Sequence, residues 1–283
     1  MKELQLPNGS TMPGLGLGTW YMGEDKALEA QEIDSLQTGI ELGMHLIDTA
    51  EMYGEGKSEQ LIGKAIRRYD RSKLFLVSKV YPHNAGRKRI FHSCDSSLKR
   101  LNTDYLDLYL LHWRGAIPLK ETVECMEELV ALKKIRQWGV SNFDLDDMEE
   151  LWSIPGGKNC VTNQVLYHLG SRGIEYALLP WMREHHMPVM AYSPLAQGGS
   201  LKKQLITNPV VVELAKKHQA TPLQLLLSFV LHQEGVLAIP KASHPTHTKE
   251  NAEAAKIILS VEDQRLLDAQ FPAPKHKTYL DMI

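Results

Sequence analysis

The chain has 283 residues, 43% of them hydrophobic, with 32 Lys and Arg against 34 Asp and Glu. That length holds one large barrel or two average domains, and the apolar content permits a full core. A net charge of −2 and a pI near 6.6 exclude the basic footprint expected for nucleic acid or an anionic membrane surface.

The N-terminal MKELQLPNGS lacks the apolar core of a secretory signal, and no apolar stretch approaches a membrane span. A cytoplasmic location is the expectation. Residues 2–13 read as a hairpin, ELQL and STMP around Pro7-Asn8-Gly9, because Asn-Gly suits a tight turn with φ > 0 at both central positions. Such a hairpin would plug the bottom of a barrel. A strand at 14–18 precedes a helix at 27–43, which Gly43 would close. Helices follow near 58–69, 87–101, 119–134, 145–153 and 174–186, and Ser58 before Glu59 and Gln60 marks a helix start. After a strand at 187–192, residues 194–207 read as a Gly-containing loop. Helices at 208–218 and 222–233, a strand at 235–239, helices at 247–256 and 262–270, and an irregular tail from Phe271 complete the chain. With no repeat, low-complexity segment or linker, residues 1–283 are expected to form a single domain.

Seven apolar runs each end in a polar residue. They are HLIDTA with Asp48, LFLVSK with Lys79, YLDLYLLH with His112, IRQWGVSN with Ser141 and Asn142, CVTNQ with Asn163 and Gln164, PVMAYSP with Tyr192 and Ser193, and GVLAIPK with Lys241. Short β-branched runs suit parallel strands buried on both faces. A polar residue at the C-terminal end of each favours a (β/α)8 TIM barrel, whose active site is built from those ends, over a doubly wound sheet. The expected fold is therefore α/β, a barrel with an N-terminal β-hairpin, two extra helices and a C-terminal tail.

Asp48, Lys79 and His112 end consecutive strands, and Tyr53 follows the first in its loop. Strands about 5 Å apart let these side chains converge. A free tyrosine titrates near 10 and is a poor proton donor at neutral pH. A lysine ammonium about 4 Å away, at an effective dielectric near 20, contributes about 4 kcal/mol, or roughly three pKa units. Asp48 would hold Lys79 charged and offset part of that effect, while His112 would orient a substrate oxygen. Singly, each has a plainer role: a structural ion pair, a packing tyrosine, a core histidine. Their joint occurrence in the right loops favours a tuned acid facing a carbonyl.

Gly14, Gly16 and Gly18 approach a dinucleotide fingerprint, but no helix opens after them, so a Rossmann turn is not expected. Cys94, Cys125 and Cys160 are widely separated and suit buried thiols in a reducing compartment. No metal site is expected. His185-His186 has no third ligand nearby and reads as a solvated helix end, and Trp181 reads as core packing.

Several segments together resemble the aldo-keto reductases: GLGTW at 16–20, LIDTAEMYGEGKSEQLIGKAI at 46–66, VSKV at 77–80, LNTDYLDLYLLHW at 101–113, WGVSNF at 138–143, TNQVLYH at 162–168, AYSPLAQGG at 191–199 and IPKAS at 239–243. Within that family the similarity is greatest to bacterial reductases of methylglyoxal and other small aldehydes. The resemblance implies a monomer that binds NADPH or NADP and a small carbonyl substrate. Tyr53 would be the general acid, tuned by Lys79 and Asp48, with His112 positioning the carbonyl. It implies that Ser141, Asn142 and Gln164 hold the nicotinamide carboxamide and that Tyr192 stacks on the ring. Gly18, Thr19 and Trp20 would line the cofactor edge. Ser193, Pro194 and Leu195 would cover the pyrophosphate, and Lys241, Ser243, His247 and Asn251 the adenosine end. Trp20, Tyr81 and Trp113 would form the substrate wall. The chain departs from the family pattern at His247, where many relatives carry arginine for the 2′-phosphate. The alternative is a nucleotide-bound regulatory subunit on the same fold.

Overall fold

The computed structural model describes residues 2–283. Eight short parallel strands lie in one sheet: β3 (Gly16–Gly18), β4 (Leu46–Asp48), β5 (Phe75–Val80), β6 (Leu108–Leu111), β7 (Trp138–Ser141), β8 (Asn163–Leu166), β9 (Val189–Tyr192) and β10 (Val236–Ala238). Each pairs with its neighbour in chain order. The parallel bridges Leu15–Ala238 and Gly18–Lys241 join the last strand to the first. This is the expected (β/α)8 barrel.

Two of the three early glycines serve barrel closure, and the third, Gly14, lies against Lys2, just before the hairpin. A Cβ at Gly16 would stand 2.4 Å from the Leu46 side chain, and one at Gly18 would stand 2.5 Å from the Ile239 carbonyl. Contacts that close exclude any side chain where β3 meets its two neighbours.

Period-2 alternation sorts the strand residues. Leu46, Val77, Leu108, Leu110, Met190 and Leu237 fill the barrel interior, while Ile47, Leu76, Tyr109 and Leu111 pack outward among the helices. The same alternation turns Asp48 and Lys79 inward. The antiparallel pair β1 (Glu3–Gln5) and β2 (Thr11–Pro13) adds Leu4, Leu6 and Met12 to the interior cluster, so the hairpin closes the bottom as expected. Its turn differs from the expected two-residue type. Gly9 N–H donates to the Leu6 carbonyl, and of the turn residues only Gly9 has positive φ, at 83°. Pro7 fixes the first corner, and the left-handed Gly9 makes a three-residue loop.

Most helices lie where periodicity put them: α1 (Glu29–Glu41), α2 (Lys57–Ala65), α3 (Ile90–Leu101), α4 (Leu119–Ala131), α5 (Leu145–Ser153), α6 (Leu178–Glu184), α8 (Pro209–Lys217), α9 (Pro222–Leu231), α10 (Pro245–Ala254) and α11 (Val261–Gln270). Gly43 at φ 88° ends α1 as expected: its N–H donates to Ile40, and the Met44 N–H to Gly39. Two readings are corrected. Ser58 is not a cap; α2 starts at Lys57, and the Ser58 hydroxyl is buried against Thr19. Residues 199–207, read as loop, form α7 (Gly199–Thr207), whose Leu205 is buried. The Gly198-Gly199 pair marks the start of that helix rather than continued irregularity. No helix among the described residues is long and apolar enough to cross a membrane.

Candidate active site

The C-terminal ends of the strands surround a cavity of about 260 Å³. At its floor Lys79 is fully buried, and its Nζ has three partners. It donates to Asp48 Oδ2 at 2.7 Å, to the Thr49 carbonyl at 2.8 Å and to the Tyr53 hydroxyl oxygen at 3.2 Å. An ammonium has three donors, so all are used. Asp48 Oδ1 accepts from Gln164 Nε2 at 2.7 Å. Because Tyr53 accepts from Lys79, its own proton is free for another acceptor. Tyr53 opens a tight turn, Tyr53–Gly56, and stands edge-on to His112 with ring centroids 5.7 Å apart.

Burial raises the Asp48 pKa and lowers that of Lys79, while their 2.7 Å contact opposes both shifts. The expected lowering at Tyr53 is not found. Burial first, and then the Asp48 charge, push the phenol well above its usual range. Asp48 balances the neighbouring ammonium, and desolvation of the phenolate then dominates. Tyr53 is therefore a protonated phenol at neutral pH. Burial, with a smaller contribution from Lys79, lowers the His112 pKa to about 2, so the imidazole is neutral. Its Nδ1 is buried without a partner. With Nδ1 buried, only the tautomer that carries the proton on Nε2 can donate into the cavity.

Ser141, Asn142, Gln164 and Tyr192 form one side of the cavity. Tyr192 donates its hydroxyl to Asn142 Oδ1 at 2.8 Å, Asn142 Nδ2 donates to the His112 carbonyl at 3.2 Å, and Ser141 donates to the Gln164 carbonyl at 2.8 Å. Asn142 and Ser193 hold left-handed backbone, φ 58° and 48°, a strained state for residues with a Cβ. These bonds fix the Tyr192 ring as a flat wall. Gly18, Thr19, Trp20, Ser193 and Lys241 also line the cavity. Ser243, His247 and Asn251 lie beyond it: His247 is exposed on the first turn of α10, and Asn251 is buried on the same helix. Pro194 is buried and Leu195 packs on the core, so neither lines the cavity.

Of the expected substrate wall, Trp20 and Trp113 line the cavity. Tyr81 stands behind, edge-on to Trp113 at 4.9 Å. Trp181 and His185 are elsewhere. They stack at 4.0 Å with Trp152 beside them, so His185 is packed rather than solvated.

Residues 14–270 match the aldo/keto reductase family. The chain belongs to that family. It is 54% identical to methylglyoxal reductase YeaE of Escherichia coli (strain K12) over 100% of this chain and 99% of the relative. It is 37% identical to a glyoxal reductase of Bacillus subtilis (strain 168), over 94% and 91% of the two chains. Among solved structures, an aldo/keto reductase from Klebsiella pneumoniae in complex with NADP and acetate matches with a TM-score of 0.97 and 52% identity, covering 100% of this chain and 99% of that one.

Four residues lining this aldo/keto reductase's cavity were not among the expected site residues: Met52 and Ile239, which lie within segments that carry the family resemblance, and Met282 and Ile283 of the tail, which nothing local marks. The tail reaches the mouth by crossing α5, where Lys277 pairs with Asp144 and Asp146, and by Asp281 accepting from Ser171. Gln164 is held through its Nε2, which donates to Asp48.

Proposed function

We propose that this protein is an NADPH-dependent reductase of small aldehydes and ketones, including 2-oxoaldehydes such as methylglyoxal. Tyr53 is its general acid. The observation that carries the reading is the Lys79–Tyr53 contact, in which the phenol accepts a proton contact from a fully buried ammonium and keeps its own proton for the cavity. The names of the bacterial relatives support the substrate class, and the NADP-bound structural relative supports the cofactor.

Bound NADPH supplies the hydride. Ser141, Asn142 and Gln164 would hold its carboxamide and Tyr192 its ring. Gly18, Thr19, Trp20 and the Ser193–Leu195 segment would flank it, while Lys241, Ser243, His247 and Asn251 would take the adenosine end. Neutral His112 donates from Nε2 to the carbonyl oxygen and fixes its direction. Tyr53 transfers its proton to that oxygen as negative charge develops there. Lys79 then stabilises the phenolate through the hydrogen bond it already makes. Asp48 and the Thr49 carbonyl keep Lys79 in place. Trp20, Trp113, Met52, Met282 and Ile283 form the substrate wall, and Tyr81 supports Trp113. Three buried free cysteines, of which Cys94 and Cys160 are pushed up to about 12, fit a reducing cytoplasm.

The test is NADPH oxidation with methylglyoxal, phenylglyoxal and simple aldehydes. Turnover is expected. A protein that binds NADPH by fluorescence yet turns over none of the panel is instead a nucleotide-binding subunit.

A further inference from the structure

Behind the strand that carries Lys79 lies a charged pair to which the reaction scheme gives no role. Lys79 faces into the barrel, and Ser78, one residue earlier on β5, faces out toward α2. Ser78 Oγ donates to Glu59 Oε1 at 2.6 Å, and Arg100 Nε of α3 donates to Glu59 Oε2 at 2.5 Å. Glu59 is fully buried, so water does not screen its charge. The neighbouring Ser58 bonds Thr19 Oγ1 at 2.8 Å and accepts from Thr49 Oγ1 at 3.1 Å, and the Thr49 carbonyl holds Lys79. The first turn of α2 thus grips the catalytic floor on both sides.

It also carries the acid. Gly54, Glu55 and Gly56, with φ 55°, 56° and 87°, lead directly from Tyr53 into α2. The Arg100 side chain lies 2.6 Å from where a Cβ on Gly56 would stand. Any residue other than glycine there would displace the guanidinium from Glu59.

We propose that Glu59 and Arg100 are positioning residues for this reductase: the pair fixes the Tyr53 turn, and Glu59, paired with Arg100, places a carboxylate behind Lys79. The groups facing Lys79 are Asp48 from β4, Tyr53 from the turn, His112 after β6 and Glu59 from α2. Those facing Glu59, besides Lys79, are Arg100 and Cys94 of α3 and Tyr109 of β6. The negative charge favours the protonated state of the Tyr53–Lys79 pair. Removing it lowers the pH at which that pair loses a proton, and removing the Arg100 charge raises it.

This inference rests on Tyr53 being the acid, which Tyr53→Phe checks separately. If that variant keeps turnover, the acid assignment has failed rather than the positioning role. The experiment is the pH profile of kcat/KM for methylglyoxal with wild type, Glu59→Gln, Glu59→Asp and Arg100→Met. The alkaline limb is expected to move down by about 0.5–1 pH unit in Glu59→Gln, and up by a similar amount in Arg100→Met. Glu59→Asp should lie near wild type, and NADPH affinity should hold throughout. Limbs that stay fixed, or move the same way in both charge deletions, would make the pair a structural brace and overturn the proposal. If one deletion does not fold, the sign of the shift in the other decides.

Discussion

The two ends of the candidate cofactor groove are built on opposite principles. At the carbonyl end, Asp48, Lys79, Gln164 and Tyr53 form a chain of short bonds in which Lys79 and both Asp48 oxygens are fully paired. At the proposed adenosine end, Lys241 is exposed just past β10 and His247 is exposed on a helix turn. Buried charges act at low dielectric and are held by geometry; exposed ones are screened and worth little each. Substitutions at the first end should therefore alter chemistry by orders of magnitude, and those at the second should alter affinity by small factors.

The sharpest way to break this contrast is Tyr53→Phe. It removes the proton donor without a large change of shape and should lower turnover by about 10²–10⁴-fold with NADPH binding nearly intact. Stopped-flow hydride transfer alongside fluorescence titration checks it. More than about a tenth of wild-type turnover, with chemistry rate-limiting in both, would remove Tyr53 from its role.

His112→Ala tests orientation rather than proton transfer. Loss of the positioning hydrogen bond should cost roughly 10–100-fold in kcat/KM for the aldehyde, with NADPH affinity hardly altered. Because the His112 pKa lies at about 2, the wild-type profile should show no acidic limb from this residue in the ordinary assay range. An imidazole-dependent limb near pH 6.5 that vanishes in His112→Ala would contradict the neutral-donor assignment.

A third test concerns stability and the tail. Burial lowers the His168 pKa to about 4, with Asp281 opposing it. Its Nδ1 accepts the Gly170 N–H at 3.1 Å. A histidine whose folded pKa lies below its unfolded one contributes no penalty above the unfolded value. Stability is then lost as pH falls from about 6.5 toward 4, because only the unfolded chain takes up the proton. At pH 5 the loss is about 2 kcal/mol from His168 and a similar amount from His112. Urea unfolding at pH 7 and pH 5 should show His168→Gln less acid-sensitive than wild type. Equal sensitivity of the two proteins would mean that His168 is already protonated in the fold.

The barrel and most of the carbonyl end were legible in the sequence because Asp48, Lys79 and His112 each sit at or beside the end of a strand run. Gln164, expected to end its run, is instead the second residue of β8, and Tyr53 lies in the turn after β4. Asp48, Lys79 and His112 needed only alternation and strand order to converge. Three things were not legible. The net direction of the Tyr53 shift depends on burial and on the 2.7 Å Asp48–Lys79 contact, distances that no pattern encodes. The Met282–Ile283 wall reaches the cavity through ion pairs with α5, far away in sequence, so nothing local marks it. Helix α7 was missed because Gly198-Gly199 signals a turn whether a loop or a helix follows.

The smallest expected effect lies at His247, where the contrast can be sharpened most finely. Many family members place arginine here to clamp the 2′-phosphate. Histidine lacks the planar fork and ordinarily titrates near 6.5. Here it is exposed on the first turn of α10, its ring 5.7 Å from that of His244. Lys241 supplies a further positive charge at the cavity edge. Preference for NADPH over NADH should therefore persist but be modest, and it should be stronger at about pH 6 than at about pH 8. His247→Arg should tighten NADPH binding by a single-digit factor, leave NADH nearly unchanged and flatten the pH dependence, with turnover at saturating cofactor unaffected. Fluorescence titrations of both cofactors at the two pH values read all of this. An identical NADPH preference at both pH values, unmoved by the arginine, would show that the side chain does not meet the phosphate. The adenosine end would then rely on Lys241 and backbone groups alone. A loss of turnover instead would mean that the two ends are coupled, against the separation their construction implies.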